Sequence, residues 1–192
     1  MKKEVEMSNV ELKGLSEAAS FQTAQASLPP VHTWSPPFCG DMDLVIKANG
    51  EWFHEGGKIK RSAMVAMFSR ILWFEAGEYF LVTPVEKVRI QVEDAPFLVT
   101  EWRWIETEYG QAIEFKTHTD DVLILGVDCD LWMDFFKGEE RPYISMRYGM
   151  KALVRRNAFY GLAESLERVE TSKGTGMGVI SAGKSYLLME DE

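Results

Sequence analysis

Residues 85–116 read VEKVRIQVEDAPFLVTEWRWIETEYGQAIEFK, and the alternation in this stretch decides the fold. Val88, Ile90 and Val92 fall on one face of an extended chain, and Lys87, Arg89 and Gln91 on the other. That is the period of two of a half-buried strand. Asp94-Ala95-Pro96 stops the strand, since proline lacks the N–H that a ladder needs. The chain then returns as Phe97–Glu106, turns at Tyr109-Gly110 and runs on as Gln111–Lys116. Val122–Val127, Leu131–Phe136 and Pro142–Met146 continue as shorter strands. Met150, Leu153, Val154, Leu162 and Leu166 then recur at helical spacing, which predicts one long closing helix.

Upstream, Asp41–Lys47 and Glu51–His54 flank Asn49-Gly50, a hairpin turn signal. Ser62 is the expected N-cap of a helix over Ala63–Phe74, where Met64, Met67, Phe68, Ile71 and Leu72 share a face. Gly77 ends it, and Tyr79–Val82 is a strand stopped by Thr83-Pro84. Residues 1–30 read as a flexible leader with one short helix around Val10–Ala19. Residues 170–192 read as a flexible glycine-rich tail. Strand–arginine–helix order occurs twice, around Trp52 to Arg61 and around Trp132 to Arg147, which hints at a repeat. The expected fold is α+β: two small strand-rich units related by duplication, at 31–84 and 85–169. The second unit is expected to be a bent antiparallel sheet or partial barrel capped by a C-terminal helix.

The chain has 192 residues, 30 acidic and 21 basic, for a net charge of -9. Such a chain is repelled by DNA and by anionic lipid, so general DNA binding and a membrane surface are not expected. The two cysteines, Cys39 and Cys129, form no CxxC pair. That usage suits a reducing compartment, and no apolar run is long enough to span a bilayer, so a cytoplasmic location is expected. Residues 178–185 fit the phosphate-loop pattern G-x-x-x-x-G-K-S, but the loop works only between a strand and a following helix. Seven residues after Ser185 cannot supply that helix and its sheet. His32, His54 and His118 share no metal-ligand spacing, and Asp128, Asp130 and Asp134 lack the glycine and closing Glu of a calcium loop. Neither a metal nor a cofactor is expected.

Charge is the more informative map. Residues 56–74 and 142–163 hold Lys58, Lys60, Arg61, Arg70, Arg147, Lys151, Arg155 and Arg156 without one acid, a local charge of +8 in an otherwise acidic chain. Arg147, Lys151 and Arg155 stand at i, i+4 and i+8, one face of the expected helix. Cations at the front of a helix oppose its dipole. The cluster is therefore expected either to pair with the acidic remainder of the fold or to form an anion pocket in which arginine forks hold phosphate or carboxylate. Trp52 before the first basic run, and Tyr143 and Tyr148 in the second, are expected either to be core residues or to stack on a planar base.

Several motifs are similar to those of a small bacterial family, domain of unknown function 1285. They are Trp34-x-Pro36-Pro37-x-x-Gly40-Asp41-x-Asp43, Gly50-x-Trp52-x-His54-x-Gly56-x-x-Ile59-x-Arg61, Thr83-Pro84-x-Glu86-x-x-x-Ile90-x-Val92-x-Asp94-Ala95-Pro96-Phe97 and Arg147-x-Gly149-x-x-Ala152-Leu153-x-Arg155. The resemblance covers residues 31–169. It implies a duplicated α+β core with a C-terminal half superficially similar to pleckstrin-homology-like folds. It also implies a nucleotide-like ligand, taken at the domain interface in signal transduction. By motif position it puts Arg61, Asp94, Arg147 and Arg155 near that cleft. Lys151 and Tyr143 join them on charge and proximity, and Trp52 and His54 from the strand before Arg61.

The leading expectation is therefore a non-enzymatic signalling protein that takes a small anionic, nucleotide-like ligand between its two units. The first alternative is a protein-interaction module with a protein partner on the barrel-like half. The second is an enzyme whose site is assembled in space from Asp43, His54 and Asp94.

Overall fold

The computed structural model describes residues 28–172 and 174–191. The helix expected at Val10–Ala19 and most of the expected leader lie outside them. The chain divides into two units, Met1–Pro96 and Phe97–Glu192.

After a 3-10 turn at Val31–Thr33, the first unit runs β1 (Phe38–Ile46), β2 (Trp52–His54), β3 (Gly57–Lys58), α1 (Ser62–Ser69), β4 (Leu72–Glu75), β5 (Glu78–Val82) and β6 (Lys87–Val92). All six strands form one sheet in the order β3-β2-β1-β6-β5-β4, with β1 and β6 parallel and every other pair antiparallel. Leu44, Ile46, Trp52, Ile71, Leu72 and Leu81 are buried, and Trp52 stacks on Phe68 of α1 at 6.4 Å.

The second unit repeats that plan. Its strands are β7 (Phe97–Thr107), β8 (Gly110–Thr117), β9 (Val122–Ile124), β10 (Leu131–Phe136), β11 (Glu139–Ser145) and β12 (Lys151–Val154), in the order β10-β11-β12-β7-β8-β9. Counted from the first strand of each unit, both sheets read 3-2-1-6-5-4, with strands one and six parallel in each. Local chemistry repeats with the topology. Strand four opens on Leu72-Trp73 in one unit and Leu131-Trp132 in the other. Strands four and five are joined by Ala76-Gly77 (φ 52° and 83°) and by Lys137-Gly138 (φ 52° and 82°). These are the positive-φ turns that match strand twist in a tight hairpin. The layout is duplicated. The repeat visible in the sequence was out of register, because it set Trp52 of a second strand against Trp132 of a fourth.

Helices differ between the copies: α1 follows the third strand, whereas α2 (Arg156–Ala163) follows the sixth. With two α-helices and 55% strand among the described residues, the protein is mostly β rather than α+β, and the sheet of the second unit curls into a half-barrel. Four further expectations are corrected here. The first unit extends past Pro84, because β6 pairs with both β1 and β5. The helix expected over Ala63–Phe74 stops at Ser69, and its aromatic end is β4, paired to β5 across the Ala76-Gly77 turn. Its N-cap is Arg61, in extended conformation, and not Ser62. The long closing helix does not exist. Arg147–Gly149 is a 3-10 turn with Tyr148 left-handed at φ 58°, Lys151–Val154 is a strand between β7 and β11, and only Arg156–Ala163 is helical.

The expected flexible tail is a third sheet, β13 (Glu167–Thr171), β14 (Gly174–Ser181) and β15 (Lys184–Glu190), in that order. Ser181, fully buried, fixes it to the half-barrel: its Oγ accepts from Ile113 N–H at 2.9 Å and donates to the Leu125 carbonyl at 2.7 Å. The phosphate-loop match is thereby disposed of, since Gly183 sits in the β14–β15 hairpin turn and a strand, not a helix, follows.

Cys39 is exposed, whereas Cys129 is buried and its thiol is pushed up to about 12, first by burial and then by Asp128 and Asp130. Iodoacetamide at pH 8 is expected to add one label to the native protein, at Cys39, and two after denaturation, counted by mass spectrometry. The raised pKa also contributes stability that is intact below about pH 9, the ordinary thiol value, and is lost as pH rises toward 12.

Candidate functional site

Four of the eight expected site residues lie in the first unit. Trp52 is 1% exposed and His54 4%, both on the inward face of β2. His54 Nδ1 meets the main-chain carbonyl of Asp43 at 2.9 Å, while the Asp43 side chain is on the exposed side of β1. A histidine–carboxylate dyad is not built from these two residues. Asp94 is buried in the segment after β6, and its charge adds to burial in raising the Tyr79 phenol to about 12. Arg61 is exposed at the start of α1 and makes no side-chain hydrogen bond or ion pair among the described residues.

The other four lie in the second unit. Tyr143 is fully buried, with the Lys151 ammonium 3.8 Å from its ring centroid. That geometry is a cation–π contact, so Lys151 is held against the sheet. Arg147 Nη1 donates to Asp121 Oδ1 at 2.5 Å, with side chains only 13% and 18% exposed, and its guanidinium lies 4.8 Å from the Phe97 ring centroid. Asp121 is itself fixed: its Oδ2 accepts from Thr119 Oγ1 at 2.8 Å, and its N–H donates to Thr117 Oγ1 at 3.0 Å. Thr117–Asp121, the turn between β8 and β9, is thus a polar knot closed by Arg147. Sequence reading missed Asp121 because its partner is 26 positions away.

Arg155 differs from these. Its main-chain N–H is anchored to the Val99 carbonyl at 3.1 Å and its carbonyl accepts the N–H of Phe159, so the backbone is fixed at the start of α2. The side chain is exposed and has no hydrogen bond or ion pair among the described residues. No side chain caps α2 and no acid occupies its first turn, where Arg156 and Asn157 follow. Free N–H groups there favour an anion, and a cation gains nothing from the dipole. His118 is the neighbour on the turn. Its Nδ1 accepts Leu98 N–H at 3.1 Å, which in the neutral ring leaves the proton on Nε2. Burial holds the imidazole pKa below its ordinary value, and the nearby Arg155 charge pushes the same way against Asp121. That Nε2 is buried and has no hydrogen-bond partner among the described residues.

The expected stripe of Arg147, Lys151 and Arg155 on one helix face is thus dispersed over a turn, a strand and a helix start. Among the described residues no cluster of three or more His, Cys, Asp or Glu side chains could hold a metal, and no helix is long and apolar enough to cross a membrane.

Two family models match the chain: DUF1285, N-terminal domain, a domain of unknown function, over residues 29–95, and DUF1285, C-terminal domain, over residues 96–188. Their division falls within a residue of that between the two units. The chain is similar to the crystal structure of a DUF1285 family protein from Silicibacter pomeroyi DSS-3. The TM-score is 0.79 at 38% identity, covering 92% of this chain and 95% of that one. A DUF1285 family protein from Shewanella baltica OS155 gives a TM-score of 0.51 at 25% identity, covering 64% of this chain and 91% of that one. No curated protein matches.

Proposed function

This chain belongs to the DUF1285 family, and from that premise we propose that it is a non-enzymatic signalling protein whose ligand is a small, nucleotide-like anion. The observation that carries this reading is Arg155: an exposed guanidinium on a fixed backbone, at an uncapped helix start. A guanidinium fork holds two oxygens of a phosphate or carboxylate at once, and the N–H groups of a helix start add donors in the same direction. Arg61 repeats the arrangement at the start of α1. Arg147 and Lys151 then serve the site by shaping its support, and the ligand's charge falls to Arg155.

The test is a thermal-shift titration with inorganic pyrophosphate and with nucleoside mono-, di- and triphosphates. A ligand that binds only the native protein raises Tm with concentration. Arg155→Ala is expected to leave the stability of the free protein within about 1 kcal/mol of wild type, because its side chain makes no hydrogen bond or ion pair among the described residues. The same change weakens the best anion by about 1.5–3 kcal/mol, and Arg155→Lys restores only part of that. Equal responses from all three proteins would remove Arg155 from the site.

A further inference from the structure

Two unpaired sheet edges line one groove in the second unit. β10 is the last strand of the half-barrel sheet, with β11 on one side and no strand on the other among the described residues. β15 is in the same position in the third sheet, beside β14. Between them runs a groove of about 670 Å³, walled by Asp130–Met133 and Glu140 on one side and by Ser185–Glu190 on the other. A second depression of about 440 Å³ continues it past Ser185 to Lys184.

A sheet edge is a row of N–H and C=O groups that pairs with any extended chain reaching it, and proteins ordinarily block or cover such edges. Neither strand carries a proline, a common block. β15 offers seven residues, about 23 Å of strand at 3.3 Å per residue. The walls add apolar surface: Trp132, braced by stacking on Tyr143 at 6.2 Å, with Met133, Leu187 and the exposed Met189. Methionine and tryptophan in one wall suit side chains of varied shape. Charge selects among occupants. Asp130, Glu140 and Glu190 line the groove, Glu170 lines its continuation, and Lys184 at the far end is the one cation among the lining residues. The Tyr186 hydroxyl donates to Asp130 Oδ1 at 2.9 Å and so holds that carboxylate in place at the junction.

We propose that this groove binds an extended peptide in which basic and apolar residues alternate, added as a strand along β15 with its cations on Asp130, Glu140 and Glu190. The proposal is independent of the anion at Arg155. Main-chain pairing supplies affinity in this mode of recognition and the alternate side chains supply selectivity.

The test is fluorescence anisotropy of the full chain with three labelled octapeptides. One alternates lysine and valine, one alternates glutamate and valine, and one has the lysine–valine sequence with every backbone nitrogen methylated. The lysine–valine peptide is expected to bind about tenfold or more tightly than either of the others. In the double variant Asp130→Asn/Glu190→Gln, whose asparagine still accepts the Tyr186 hydroxyl, the lysine–valine peptide is expected to lose about tenfold in affinity. Equal binding of the glutamate–valine peptide overturns the charge argument, and equal binding of the methylated peptide overturns strand addition. Absence of binding up to about 1 mM overturns both. A dimer in light scattering that excludes the peptide assigns the groove to a second copy and overturns the proposal.

Discussion

Replacing Gly178 by alanine is expected to destabilise the protein by more than about 3 kcal/mol, a change usually reserved for disrupted cores. The reason is contact, not backbone angle. A Cβ at this position would lie 2.0 Å from the Tyr186 carbonyl oxygen, 2.9 Å from its carbon and 2.6 Å from Val169 Cγ2. Backbone atoms cannot swing aside as a long side chain can, so β14 and β15 would have to part at the register shift between Met177 and Gly178. Gly183 is the control. It sits at φ +74° in the hairpin turn with only the Tyr109 carbonyl within reach, 3.8 Å from a built Cβ, so alanine there meets left-handed strain and no clash. Gly183→Ala should cost about 1–2 kcal/mol. Urea unfolding of both variants makes the comparison through the midpoint at unchanged slope. Were residues 174–190 a flexible tail, both substitutions would be silent.

That contrast also marks where sequence reading ran out. A run of glycines fits either a chain with no structure or two backbones in close approach, and composition does not separate the two. What separates them is Tyr186 and Met189 opposite, contacts that local pattern does not contain. The strands were legible where one face is wet and the other buried. Ile113, Phe115 and Thr117 of β8 alternate inward, and the residues between them are less buried. Lys151–Val154 was not legible, because Met150, Leu153 and Val154 satisfy helical spacing as well as Ala152 and Val154 satisfy a strand. Pairing with β7 on one side and β11 on the other decided it. The candidate site suffered accordingly. The basic residues were found, but a stripe that assumed a helix placed Arg147, Lys151 and Arg155 in one row. Which of them is occupied by Asp121 or by Tyr143 depends on partners that the local pattern could not supply.

The distinction between Arg147 and Arg155 gives the other large effect. Asp121→Ala strips a mostly buried guanidinium of its carboxylate while Phe97 still covers one face of it. Loss of one member of such a pair is expected to cost about 3–5 kcal/mol, since the remaining charge stays in poorly solvated surroundings. The double variant Asp121→Ala/Arg147→Met removes both charges and leaves an apolar chain against Phe97. It should recover to within about 2 kcal/mol of wild type: removing a buried pair together avoids stranding either charge, and the remaining loss is that of the carboxylate that accepts the Thr119 hydroxyl. Two outcomes in urea unfolding and pyrophosphate titration separate the roles. If the double variant is stable and still responds to pyrophosphate, Arg147 is a structural member of the Thr117–Asp121 knot and the anion rests on Arg155. If Asp121→Ala is as stable as wild type and binds pyrophosphate more tightly, the pair masks a ligand cation, and Asp121 has been competing with the anion for Arg147.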